Sequence, residues 1–381
     1  MIYDFYVNFH IQEKNDVDNL VSGSEKYSEV TDVFSRIMLL ITSFGVKENF
    51  PDRRGEPNKI KPDVYAKVGE REYSSGLKSL IHSNGNYNDQ LQCCKLSELN
   101  LLGINSSPDI STLPKGSFII EFPITLAKPF ISRDDTPLYI IENPIRKDKV
   151  FGIPFTSAMS WKGNLRWTMM KIYLEPKAND PEKFVKVRFW HTLLFGTEKG
   201  MEEMAKGWTK YLDELCPNVK DIYRNKLKGR FGEEEVPSLT GMLYFYPTFW
   251  DRIDMEVINP HDRKTKTGKN PIYYEVVPKG AKGFFKLLYL PFYHLGKPLS
   301  ELKIKVINDL NGVVAGLKAM MLTYGFSAKK SSGYGVIENK WDKEASKLII
   351  KGFLDIVKFS NFEELENIIK ELKERGNEFT P

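Results

Sequence analysis

An α+β fold built on an antiparallel sheet is predicted by three observations on the 381-residue sequence. Short segments rich in Val, Ile, Tyr and Phe recur with the period-two alternation of strands. Longer amphipathic stretches lie between them, the longest being "LSELKIKVINDLNGVVAGLKAMMLTYG". The resulting order of strand, helix, strands, helix, strand is that of a ferredoxin-like or RRM-like sandwich. Polar, turn-rich stretches interrupt this order and predict large insertions and an N-terminal extension. Apolar residues make up 41% and aromatics 13%, enough for a sizeable core in a chain longer than one typical domain.

Each element follows from local pattern. "MIYDFYVNFHI" alternates as a strand would, and "SEVTDVFSRIMLLITSFG" reads as a helix with Gly45 at its C-cap. From Val46 to about Lys115 the text is rich in Pro, Gly, Asn and charge, which predicts an insertion with little regular structure. "SFIIEFPITLAKPF" is a strand, "TPLYIIENPIRKDKVFGIPF" an extended arm, and "TSAMSWKGNLRWTMMKIYL" a helix capped by Ser157 or Ser160. "FWHTLLFG" and "MEEMAKGWTKYLDELC" are further helical pieces. Three or four antiparallel strands follow, joined through the polar link "NPHDRKTKTGKN". The long helix ends at Gly325, "YGVIENKW" is the closing strand, and "SNFEELENIIKELKERG" is a surface helix with acids first and bases last. The expected division is an N-terminal part (1–116), a core (117–345) with a hairpin insertion around 251–290, and a C-terminal strand and helix appended at 346–381.

Composition narrows the function. Lysine plus arginine number 55 against 50 acids, so any nucleic-acid footprint must be a local patch. Cys93, Cys94 and Cys216 form no C-x-x-C pair, which predicts a reducing compartment and a cytoplasmic protein. His82 with the adjacent Cys93 and Cys94 makes a poor tetrahedral corner, and no cofactor is expected. No secretory signal opens the sequence and no apolar run is long enough for a bilayer, so a membrane is not an expected partner.

Two stretches carry chemistry. In "GFSAKKSSGYG" (Gly325 to Gly335), glycines permit close backbone approach. Successive N–H groups there would form an anion-binding concavity, with charge from Lys329 and Lys330 beside Ser331, Ser332, Gly333 and Tyr334. The spacing is not that of a P-loop; the plain alternative is a helix C-cap followed by a turn. In "IPFTSAMSWKGNLR" (Ile153 to Arg166), Ser157 and Ser160 open a helix on which Lys162 and Arg166, four apart, share a face. Hydroxyls, free N–H groups and two cations suit a phosphodiester chain. The alternative is that Trp161, Leu165 and Trp167 are core and the two cations merely solvated.

Together with "ENPIRKD" (Glu142 to Asp148), these stretches resemble the RAMP superfamily of CRISPR-associated proteins, above all the backbone subunits of type III-like effector complexes. The resemblance spans about Ser117 to Trp341; the segment before Lys115 departs from it. It implies a subunit that binds a CRISPR guide RNA, stacks head to tail with copies of itself, meets other effector subunits and presents the guide to target RNA. Ser157, Ser160, Lys162, Arg166 and the glycine-rich loop would face the sugar-phosphate chain. Arg263, Lys264, Lys266 and Lys269 would form a projecting thumb or a guide-strand clamp, unless that loop is a solvated hairpin.

Target-cleaving relatives carry an aspartate where this chain has Glu142, with Asp134 and Asp135 as neighbouring acids. Glutamate is one methylene longer, and small misplacements cost about a hundredfold in rate. The expectation is therefore a subunit that does not cleave. Three readings compete with it: a metal-dependent target-RNA endoribonuclease using Glu142 or a nearby Asp, a guide-processing ribonuclease, and a phosphate-binding metabolic enzyme. His261 beside Asp262 reads as a polar turn rather than an acid-base pair.

Overall fold

A computed structural model describes residues 5–12, 14–42, 47–51, 57–59, 77, 80–81, 86–134, 139–198, 206–233, 235–260, 264 and 272–377. The chain begins with helices α1 (Phe5–Asn8), α2 (Lys14–Ser22) and α3 (Val33–Thr42), then the hairpin of β1 (Lys47–Pro51) and β2 (Pro57–Lys59). Helices α4 (Asn86–Gln90) and α5 (Leu96–Leu101) run on through a π turn, Leu91–Lys95. Next come β3 (Phe118–Thr125), β4 (Phe155–Thr156), α6 (Ala158–Met169), α7 (Pro181–Phe195), α8 (Gly207–Leu215) and α9 (Lys220–Phe231). Strands β5 (Leu243–Phe245), β6 (Thr248–Phe249), β7 (Asp254–Ile258), β8 (Ile272–Val276) and β9 (Lys282–Tyr289) follow. The chain closes with α10 (Leu299–Lys318), β10 (Lys347–Ile350), β11 (Leu354–Val357) and α11 (Phe362–Asn377).

Two compact units divide these elements. One comprises Met1–Ser106, Lys128–Phe155 and Phe249–Lys282; the other Ser107–Ala127, Thr156–Thr248 and Gly283–Pro381.

The second unit holds a five-stranded sheet in the order β11-β10-β3-β9-β5, and the pairs β10–β11, β10–β3 and β5–β9 are antiparallel. This is the predicted α+β class. Phe118 of β3 stacks on Tyr289 of β9 with centroids 4.4 Å apart. Phe122 is ringed by Phe285, Trp341, Phe359 and Phe362 within 5.8 Å. Helix α10 carries two glycines where neighbours come close. A Cβ on Gly316 would lie 2.7 Å from Met169 of α6, and one on Gly312 would lie 2.6 Å from Trp190 of α7. Helices α7, α8 and α9 enclose a second apolar cluster around Phe184, Leu212, Tyr223 and Leu227.

Within the first unit, β7 and β8 form an antiparallel hairpin from Asp254↔Val276 to Ile258↔Ile272. The arm is fastened to β8. Buried Glu275 accepts from the Tyr139 hydroxyl (2.6 Å), the Ile145 amide (3.1 Å) and Lys147, while Asn143 Nδ2 donates to Tyr273 O.

Four expectations are corrected. The N-terminal aromatic run is helical at Phe5–Asn8, because Phe5 and Phe9 share a face with rings 5.2 Å apart. The segment expected to lack regular structure includes the helical run 86–101, whose polar residues bond other main chains. Asn88 pairs with both the N–H and C=O of Ile253, and Gln90 Oε1 accepts from the Val33 amide at the start of α3. "YGVIENKW" is not a strand. It touches the sheet through a single bridge, Leu126↔Ile337, and then turns away so that Trp341 N donates to Ser360 O. The place beside β3 belongs to β10, so the residues expected as an appendage at 346–381 supply two of the five sheet strands. Gly45 lies outside the described residues.

Candidate nucleic-acid interface

Helix α6 begins where the sequence predicts. Ser157 is its N-cap in extended conformation, its Oγ accepting from the Ser160 amide at 3.1 Å and lying 2.9 Å from Ser160 Oγ. The helix is fixed by Trp161, which is fully buried. Its indole N–H donates to Thr248 Oγ1 at 3.0 Å, and that hydroxyl donates onward to Phe284 O.

The glycine-rich loop packs directly on this helix. Phe326 lies 4.4 Å from the Trp161 ring, and Asn164 Nδ2 bridges Ser160 O (2.8 Å) and Phe326 O (3.1 Å). Tyr324 meets Trp167 edge-on at 5.3 Å, and Lys330 Nζ sits 4.4 Å above the same Trp167 ring. Two stretches about 160 residues apart in sequence thus form one continuous surface.

The glycines divide into two kinds. A Cβ on Gly325 would stand 2.4 Å from Tyr334 O, and one on Gly335 would stand 2.4 Å from Ser327 Cβ. Both therefore close the loop's own stem, where Phe326 N donates to Gly335 O. Gly333 has open space around it and a left-handed φ of +78°. Lys329 adopts the same region at φ +57° without being glycine, a conformation costing about 1–2 kcal/mol. Ser331 and Ser332 are exposed on the 3₁₀ turn between them; Tyr334 is half-buried.

Electrostatics separates the predicted cations. Lys162 and Lys330 are half-buried, and neither has a carboxylate partner among the described residues. Burial, then the neighbouring Arg166 charge, lowers the Lys162 pKa; burial alone lowers that of Lys330. Arg166 points inward instead. Its Nη2 donates to Gly196 O at 3.2 Å, its buried Nε has no partner, and burial lowers its pKa against the opposing charge of Glu198. Lys162 and Arg166 share a helix, but packing separates their surroundings.

Asn164 and Thr248, which join the surface together, escaped the sequence reading. An asparagine inside a helix is the one available signal, since that side chain favours caps and turns.

Of the predicted acids, Glu142 is exposed beside the pinned Asn143, Asp134 is half-buried with its amide donating to Pro144 O, and Asp135 lies outside the described residues. Lys264 is exposed on the β7–β8 connection. Arg263, Lys266, Lys269, His261, Asp262 and His82 fall outside the described residues. Cys93 and Cys94 are exposed, and among the described residues no three His, Cys, Asp or Glu group as a metal site. Nor is any described helix long and apolar enough to cross a membrane.

Residues 100–338 match the sequence model of the RAMP superfamily. Many solved chains are similar, and three of them illustrate the range. One is a chain of the type III-B Cmr-beta complex bound to cognate target RNA: 13% identity, 90% of this chain and 99% of that one, TM-score 0.37. Another belongs to a CRISPR RNA-guided surveillance complex in a pre-nicking state: 11% identity, 61% and 77% coverage, TM-score 0.32. The third is Cmr6 from Pyrococcus furiosus: 15% identity, 58% and 97% coverage, TM-score 0.29. No curated protein matches the sequence.

Proposed function

The chain belongs to the RAMP superfamily, and on that premise we propose that it is a guide-RNA-binding backbone subunit of a CRISPR effector complex. In this reading it assembles head to tail with copies of itself and with other effector subunits in the cytoplasm, and holds the guide for pairing with target RNA. The five-stranded sheet with α10 and α11 would be its ferredoxin-like core, and the β7–β8 hairpin its thumb. One observation carries the proposal: Lys162 and Lys330, from distant stretches, stand on one packed surface with no acid among the described residues to neutralise them. A polyanion supplies the missing charge, and exposed Ser331, Ser332 and the open Gly333 allow its backbone to come close.

The test is binding of single-stranded RNA to the full chain across a salt series. Affinity should fall linearly on a logarithmic plot and vary little between unrelated sequences. A flat salt response, or no loss in the Lys162→Ala/Lys330→Ala pair, would sink the reading.

Cleavage is the second reading, because Glu142 is exposed next to a fastened segment of the arm. Incubating the assembled complex with matching RNA and a divalent metal decides it. Regularly spaced cuts that vanish in Glu142→Ala would establish the nuclease; intact RNA supports a carrier.

A further inference from the structure

A cavity of about 940 Å³ opens in the unit that contains the arm and the N-terminal helices, and it shares no residue with the α6–loop surface. Helix α3 contributes Phe34 and Met38, and the arm contributes Arg146, Val150, Gly152 and Phe155. Phe34 is built into the arm. Gly152 has φ +68°, and a Cβ there would come within 2.3 Å of the Phe34 ring, so only glycine lets the two segments meet. The N-terminal part that departs from the family pattern thus completes a wall of this site.

The lining has a specific chemical character. Met38 is 47% and Val150 83% exposed, so apolar surface faces water. The Arg146 guanidinium lies 5.5 Å over the Phe155 ring. Arg146 and Lys149 are exposed cations at the rim, where Arg133 also lies, next in sequence to the half-buried Asp134. Lys147 is committed to Glu275, and Asp148 caps the turn by accepting from the Val150 and Phe151 amides at 2.9 Å.

The main chain around the cavity is largely satisfied as well. Ile145 N donates to Glu275, Arg146 N to Ser132 Oγ, Phe155 N to Arg146 O, and Asp148 N to Ile153 O. A peptide adding itself as a strand would find few partners here. Recognition falls to ring faces, apolar side chains and cations, which together suit a flat apolar group carrying negative charge. The volume lies within the range of small-ligand sites.

We propose that this cavity binds one nucleotide, its base laid against Phe34, Phe155 and Val150 and its phosphate turned toward Arg146 and Lys149. The proposal does not rest on the RNA reading of the α6–loop surface. The nucleotide has two sources, a free mononucleotide or an unstacked residue of an RNA chain.

AMP titrated into the full chain, followed calorimetrically, tests the site. Saturable binding is expected, weakened at least tenfold by Arg146→Ala and by Val150→Trp. The latter fills the opening from an exposed position and should leave thermal unfolding unchanged. Photocrosslinking of single-stranded RNA carrying 4-thiouridine then identifies the source. Crosslinks on residues 34–38 or 150–155 that AMP displaces assign the site to an RNA residue; AMP binding without them assigns it to a free nucleotide. Failure of both AMP binding and crosslinking overturns the proposal, and crosslinks persisting on residues 158–169 and 325–335 would show that the RNA reading survives it. The converse, AMP bound but no crosslink to those two stretches, overturns the RNA reading alone. If Val150→Trp abolishes self-association yet leaves AMP and RNA signals untouched, the cavity receives a protein segment and the nucleotide assignment is wrong.

Discussion

Arg188 and Lys330 are both cations laid on aromatic rings, 4.2 Å over Tyr223 and 4.4 Å over Trp167, and they differ in what completes them. Arg188 is fully buried and carries its own counter-charges: Nη2 meets Glu198 and Nη1 meets Asp213, each at 2.7 Å. Burial works against its charge, but Glu198 and Asp213 outweigh burial and raise its pKa. Lys330 has no such acid among the described residues, and burial lowers its pKa. The first arrangement is internally closed and joins helices. The second has no counter-charge among the described residues, which is what the proposed RNA contact would supply, and the two environments differ more sharply than sequence spacing can show.

The largest expected effect breaks the closed arrangement. Arg188→Ala leaves the buried Glu198 carboxylate without its guanidinium and Asp213 with Arg224 alone, 3.5 Å away, and should cost about 3–5 kcal/mol in denaturant unfolding. Lys330→Ala removes only a cation–π contact and should cost no more than about 1 kcal/mol. Equal losses would erase the distinction.

His191 sharpens the comparison through pH. It is buried against Phe195, its Nε2 lies 3.2 Å from Arg166 O, and burial followed by the Arg166 charge pulls its pKa down to about 3. The imidazole is thus neutral when folded but protonates near its ordinary value of 6.5 when unfolded. Its stabilisation is fully present above 6.5 and is lost as pH falls from there toward 3. Between pH 6.5 and 5 the loss should reach about 2 kcal/mol, and in His191→Leu that component of the pH dependence should vanish.

Much of this was legible in the sequence because it depends on local pattern. The long α10 stretch closing at Gly325, the Ser157 cap, β3 and the β7–β8 hairpin each follow from periodicity or capping chemistry within a few residues. Tertiary decisions were not legible. Residues 86–101 look like loop because their Asn and Gln side chains serve distant main chains, as Asn88 does for Ile253. Strand β10 is four residues long, too short to stand out against "YGVIENKW". Arg166 shares a helix with Lys162, yet the carbonyl of Gly196, 30 residues away, draws it inward. At the candidate site, each basic stretch was readable by itself, and only the family resemblance joined the two. That two of the three glycines serve the loop's own closure required coordinates.

Smaller effects are expected on the open arrangement. Each of Lys162→Ala and Lys330→Ala should reduce the slope of log affinity against log salt by about 0.7, the value for one phosphate contact on a single strand. In the proposed role both lysines would bind RNA only when protonated, and burial holds their pKa values below the ordinary 10.5 in the free protein. Affinity should therefore begin to fall at a lower pH than solvent-exposed lysines would dictate, accompanied by proton uptake on binding. Calorimetry at alkaline pH, in buffers of different ionisation enthalpy, measures that uptake, and its absence there would mean that these lysines do not meet the phosphates.

The smallest effect concerns Lys329, whose left-handed backbone is unfavourable for any side chain. Lys329→Gly relieves about 1–2 kcal/mol of that cost, while the added freedom of the unfolded chain takes back about 0.4–1 kcal/mol. The expected result is a protein slightly more stable than the original, by about 1 kcal/mol or less, that binds RNA more weakly. Opposite signs for stability and affinity would mark Lys329 as held in strain for the sake of its charge, on the same footing as Lys330. Should stability rise with affinity unchanged, the charge at position 329 does not meet RNA, and the open arrangement contracts to Lys162 and Lys330.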